Sequence, residues 1–85
     1  MHSDLAAYRR TLRLSQEQFA AELGMRSKGH ISNIEKGSPA GLRLALKIEA
    51  HSRGLVPADG LVSPEDAHLL AGHRALANRI VAGAA

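Results

Sequence analysis

Apolar positions recur along this chain at helical spacing, and polar or glycine-containing breaks separate them. Leu5, Tyr8 and Leu12 stand at i, i+3 and i+7, which predicts a first helix from Asp4 to Arg13, capped by Ser3 or Asp4. Phe19, Ala20 and Leu23 form the next stripe, on a helix over about 16–23. Ser15 is its N-cap, Gln18 completes a capping box, and Gly24 stands where a left-handed terminal residue is wanted. Ile31 and Ile34 mark a third helix over about 27–36, with Ser27 as N-cap and Gly37 as the stop. Leu14 looks inward with these residues. Ser38 as cap and Pro39 at the first helical position open a fourth helix. Leu42, Leu46 and either Ala45 or Ile48 face its core, and it ends near His51 to Arg53 under Gly54. The stretch LVPADGLV allows a turn and one short helical turn over Pro57 to Leu61, with Val56, Leu61 and Val62 closing the core. Ser63-Pro64-Glu65-Asp66 is a strong helix start, and the last helix runs to about Val81. Leu69, Leu76 and Ile80 share one face of it, flanked by Leu70 and His73, while Ala67, Ala71 and Ala75 form a small-residue ridge. The tail from Ala82 to Ala85 is expected to fray. No stretch alternates with period two, so the fold class is all-α.

Composition narrows this picture in three ways. Eighty-five residues make one small domain. Only Tyr8 and Phe19 are aromatic, so Leu, Ile, Val and Ala must build the core. Cysteine is absent, which removes disulfides and thiolate metal sites and fits a reducing compartment. No segment approaches a membrane span, and MHSDLAAYRR lacks the apolar centre of a secretory leader, so neither membrane nor leader is expected. The charge is uneven. Residues 1–53 carry nine cations against five acids, whereas residues 54–85 carry two against three. The positive excess therefore lies with the glycine-punctuated helices, where a phosphate-binding surface would need it.

Two short helices joined through a tight glycine turn are the helix-turn-helix unit. The matching residues are Leu14-Ser15-Gln16, Phe19-Ala20, Leu23-Gly24, Ile31, Ile34-Glu35 and Gly37. On these residues the chain resembles the Xre/Cro family of small phage and bacterial regulators, over about 4–62 and most strongly over 12–37. The turn from Gly24 to Ile31 is one residue longer than in most members, a length that some branches carry, and it leaves the base-reading positions open by about one residue. The resemblance implies a compact five-helix, phage-repressor-like domain at 1–62, with Pro57 to Leu61 as its short fifth helix. Residues 63–85 then form an additional C-terminal helix, either folded back on the domain or packed against a second copy. The resemblance also implies an ion pair between Arg9 and Glu35, and a phosphate contact by Gln16.

A major groove admits one α-helix and presents a distinct pattern of donors and acceptors for each base pair. The third helix would enter it. Away from Ile31 and Ile34 it projects Lys28, Gly29, His30, Ser32 and Asn33 as base-reading candidates, Lys28 towards guanine and Asn33 towards adenine. Gln16, Arg26, Ser27, Lys36, Ser38 and Arg43 are the phosphate-binding candidates. The expected partner is double-stranded operator DNA. The expected protein is a cytoplasmic, bacterial or phage-encoded regulator, acting as a homodimer on a near-palindrome. The alternative is an antitoxin-like interaction module, which would autoregulate through the same unit and hold a second protein with its C-terminal helix. No enzyme motif stands out. His68 and His73 lie five apart and do not share a helix face as zinc ligands would, so no cofactor or metal is expected.

Overall fold

The computed structural model describes residues 3–84; the expectations for the Ile80 side chain and for Ala85 lie outside the described residues. Five helices follow in order: α1 (Ser3–Thr11), α2 (Gln16–Glu22), α3 (Gly29–Glu35), α4 (Leu42–His51) and α5 (Pro64–Ala84), with a 3-10 turn at Ala58–Gly60 between the last two. Leu5, Phe19, Ile31, Ile48 and Leu61 are fully buried, so each of α1 to α4, and the residue that follows the 3-10 turn, contributes one large side chain to a single core. Tyr8 meets Phe19 edge-on, with ring centroids 6.1 Å apart, so both aromatic residues serve this core.

The α2 start matches its sequence signal in detail. The Gln18 amide donates to Ser15 Oγ at 3.0 Å, and the Ser15 amide donates to Gln18 Oε1 at 2.9 Å. Gly24 (φ +77°) and Gly37 (φ +114°) close α2 and α3 in the left-handed region, where any other residue would be strained.

Four expectations need correction. First, α1 already includes Ser3 and Asp4 and stops at Thr11. Arg13 turns the chain at φ +58°, so Leu12 falls out of the helical stripe and is 40% exposed, and Leu14 packs on the core in its place. Second, α3 begins at Gly29 after Lys28, which makes no side-chain capping bond; Ser27 is not its cap. Third, Ser38 and Pro39 do not open α4. The Ala40 amide donates to Leu61 O at 2.7 Å and its side chain is buried, so this stretch crosses the core as a strap. The helix starts only at Leu42, with Gly41 as cap. Fourth, the buried seam of α4 is Ala45, Ile48 and Ser52 at i, i+3 and i+7, while Leu42 and Leu46 are 37% and 40% exposed. A small seam lets α4 approach the core closely, and the leucines fall to its side. Ser52 sits in that seam because its hydroxyl is satisfied: it donates to Glu49 O at 3.1 Å and accepts from the Val56 amide at 3.0 Å.

The last helix starts where Ser63 predicted, with the Asp66 amide donating to Ser63 Oγ at 3.3 Å, and it continues to Ala84, beyond the expected end. One side of α5 is held to the domain. Leu70 is buried, and Arg74 donates to Glu49 of α4 while lying 3.0 Å from Asp59 of the 3-10 turn. Glu49 also accepts the Ala58 amide at 3.0 Å, so one carboxylate gathers three elements. The other side carries Leu69 (62% exposed) and Leu76 (55% exposed), so this apolar face does not fold back on its own domain. Replacing Arg74 with glutamine should speed amide hydrogen exchange along Pro64 to Arg74 and leave α1 to α3 unchanged. Equal acceleration everywhere would mean that the clasp supports the whole fold rather than α5.

Candidate nucleic-acid interface

Two buried isoleucines orient α3. Ile31 and Ile34 fix its inner face, so at 100° per residue Gly29, Ser32, Asn33 and Lys36 fall on the opposite side. Gly29, Asn33 and Lys36 are exposed and Ser32 is half-buried. Lys28 is exposed at the helix start. His30 is also exposed but lies to the side, over a shallow cleft shared with Met25, Gly41, Arg43, Leu44 and Lys47. The outward ridge is therefore glycine, serine, asparagine and lysine, with the imidazole at its flank. A carboxamide both donates and accepts, as the adenine edge requires. Gly29 presents bare backbone. A methyl added there would make only an ordinary contact, 3.6 Å from Ser27 Oγ.

Cations frame this ridge. Arg26 and Lys28 precede α3, Lys36 ends it, and Arg43 opens α4; all are exposed. Ser27 and Ser38 are exposed beside them. Gln16 is only half-buried at the start of α2, but its side-chain amide donates to Glu35 Oε1 at 3.0 Å. One of its two amide hydrogens is thus committed to α3.

Glu35 is the anchor of α3. Arg9 grips it with two bonds: Nε donates to Oε2 at 2.7 Å and Nη2 donates to Oε1 at 3.0 Å. The third guanidinium nitrogen donates to Leu14 O at 2.9 Å, so one arginine ties α1, the α1–α2 turn and α3. The side chains of Arg9 and Glu35 are only 12% and 9% exposed. Burial is the largest influence on Glu35 and opposes its ionisation. The hydrogen bonds from Arg9 and Gln16 and the charges of Arg9 and Arg10 outweigh it, holding its pKa below the usual carboxylate value. The bond to Glu35 correspondingly raises the pKa of Arg9 against the cost of its burial.

Two supports escaped the sequence reading. Lys47 Nζ reaches Leu23 O at 3.4 Å, placing a cation on the last carbonyls of α2. Tyr8 Oη lies 2.8 Å from His51 Nδ1 and donates to His51 O at 3.0 Å, while His51 Nε2 lies 2.9 Å from Glu22 Oε1. This chain of contacts joins α1, α4 and α2. The partners lie 43 and 29 positions apart, so no local spacing announces them.

The family described as helix-turn-helix matches residues 5–51, more than half of the chain. This is a helix-turn-helix protein. No curated protein and no solved structure shows a match to the chain. The helix-turn-helix match spans α1 to α4, so it contains every residue of the ridge, its framing cations and the Arg9–Glu35 anchor. It ends before the 3-10 turn and α5, which lie outside the family's matched region. The helix-turn-helix protein is a DNA-binding regulator, and its partner is double-stranded DNA. Among the described residues, no helix is long and apolar enough to cross a membrane, and no group of three metal-ligating side chains comes together.

Proposed function

We propose that this protein is a sequence-specific transcriptional repressor that binds a near-palindromic operator as a homodimer, with α3 in the major groove. The observation that carries this reading is the α3 ridge: polar and glycine positions outward, two isoleucines inward, cations at both ends. In it Asn33 pairs with an adenine edge, Lys28 with a guanine, Gly29 admits close approach of a base, and Ser32 and His30 touch the flanks. Gln16, Arg26, Ser27, Lys36, Ser38 and Arg43 hold phosphates and fix the register of the helix on the duplex. A single α3 reads only a few base pairs, so two copies on an inverted repeat are needed to distinguish an operator from the rest of a genome.

Selection of binding sequences from a random duplex pool, followed by salt titration, tests this reading. The expected winner is a near-palindrome, preferred over scrambled DNA by roughly 10³-fold or more. Its affinity should fall with salt at a slope of about −0.9 for each phosphate contact. Weak binding with no enriched sequence would leave only charge attraction and would overturn the operator reading.

A further inference from the structure

We infer that α5 joins two copies of this chain through its free face, as an antiparallel helix pair whose two-fold axis passes between positions 72 and 73. The inference rests on the operator reading above and supplies the surface which that reading leaves open.

The face is defined by what its opposite side is doing. At 100° per residue, Glu65, Leu69, Gly72, His73 and Leu76 fall within one strip of α5. Leu70 and Arg74, which hold the domain, lie on the other side. A single exposed leucine is ordinary, but Leu69 and Leu76 are both more than half exposed and stand one heptad apart on that strip. The helix is long enough to serve. Its 21 residues span about 31 Å, and the molecule is 43 Å in its longest dimension against 24 and 21 Å in the others.

Charge names the occupant. Glu65 stands at one end of the strip, and Arg79 lies at the other end on the same edge, both exposed. An antiparallel copy centred between 72 and 73 sets Leu69 opposite the partner's Leu76. It also brings Glu65 within one residue of the partner's Arg79, on the same edge of the seam. Both relations occur twice, as a two-fold interface requires. A parallel copy would instead leave Glu65 and the partner's Arg79 about 21 Å apart along the seam, with no opposite charge facing either. The strip is thus complementary to itself in one orientation only. Gly72 stands near the axis with open space around it, so the partner's His73 side chain can lie across the backbone there. Four leucines and two pairs of end charges make a small seam, so the dimer is weak in free solution and forms most readily when two half-sites hold the copies side by side.

Sedimentation of the full chain over a concentration series tests the inference. Glu65→Arg and Arg79→Glu should each weaken self-association by about tenfold, and the double variant should recover it. Leu76→Ser should weaken it further, while melting curves show each variant still folded. Under mild oxidation Gly72→Cys should form a covalent dimer, and Leu69→Cys should not. Efficient cross-linking through Leu69→Cys, or charge variants that associate like the unaltered chain, would overturn the antiparallel seam while leaving operator binding intact. A chain that stays monomeric on its selected DNA, with no inverted repeat enriched, would remove both the seam and the dimeric operator reading. Capture of a different protein by α5 with no self-association would overturn the seam alone.

Discussion

Arg9→Ala should lower the melting temperature by on the order of 15 °C, the largest loss expected from removing any single charge in this domain. Removing one partner of a buried ion pair costs about 3–5 kcal/mol, because the other charge is left without compensation. The side chains of Arg9 and Glu35 are 12% and 9% exposed, which places this pair near the lower limit. A domain of this size loses about 4–8 °C for each kcal/mol. Arg9→Lys should rescue little, since an ammonium cannot make the two bonds to Glu35 and also reach Leu14 O as the guanidinium does. The same anchor sets an acid response. The folded-state pKa of Glu35 is depressed, so its contribution is complete above the ordinary carboxylate value of about 4.3. It is lost as pH falls below that value and through the lower folded one. Glu35→Gln should be less stable at neutral pH, and its stability should fall less steeply in acid. If the acid limbs of the two proteins superimpose, Glu35 is not the group that makes the fold acid-sensitive.

Lys28→Ala and Arg43→Ala should both weaken operator binding, but in different ways. Lys28 stands at the start of α3 and is proposed to read a base edge, so its loss should remove about 1–3 kcal/mol of discrimination at one position of the site. Affinity for scrambled DNA should change far less. Arg43, in the first turn of α4, is proposed to hold a phosphate, so its loss should weaken every sequence alike and flatten the salt slope by about 0.9. Neither residue is buried or bonded to the core, so both variants should melt like the unaltered chain. Identical effects on selected and scrambled DNA would collapse the distinction between reading and positioning residues.

The α2–α3 unit was legible because its signals are local. Ser15 and Gln18 are three apart and cap each other, and Gly24 and Gly37 are required by positive φ rather than by any distant contact. Ile31 and Ile34 then orient the ridge by periodicity alone. Arg9 and Glu35 lie 26 positions apart, and nothing in their local spacing links them; family resemblance did. The errors share a cause. Leu42 and Leu46 are larger and more apolar than Ala45 and Ser52, yet close approach of α4 favours the small pair. Ser38-Pro39 has every local mark of a helix start, but the Ala40 amide is taken by Leu61 O, a partner that only the folded chain supplies. The Arg74 clasp and the Tyr8–His51–Glu22 contacts are equally non-local.

The two ends of α3 are held very differently. Glu35 is gripped by Arg9 and Gln16, whereas Lys28, at the other end, makes no side-chain cap. The residues proposed to choose the DNA sequence therefore sit where the fold asks least of them. Lys28, Gly29, His30 and Asn33 are all exposed, and none of them belongs to the buried core. Such an arrangement makes the protein easy to retarget. A descendant, or a designer, can exchange the reading residues to meet a drifted operator without first having to re-stabilise the domain.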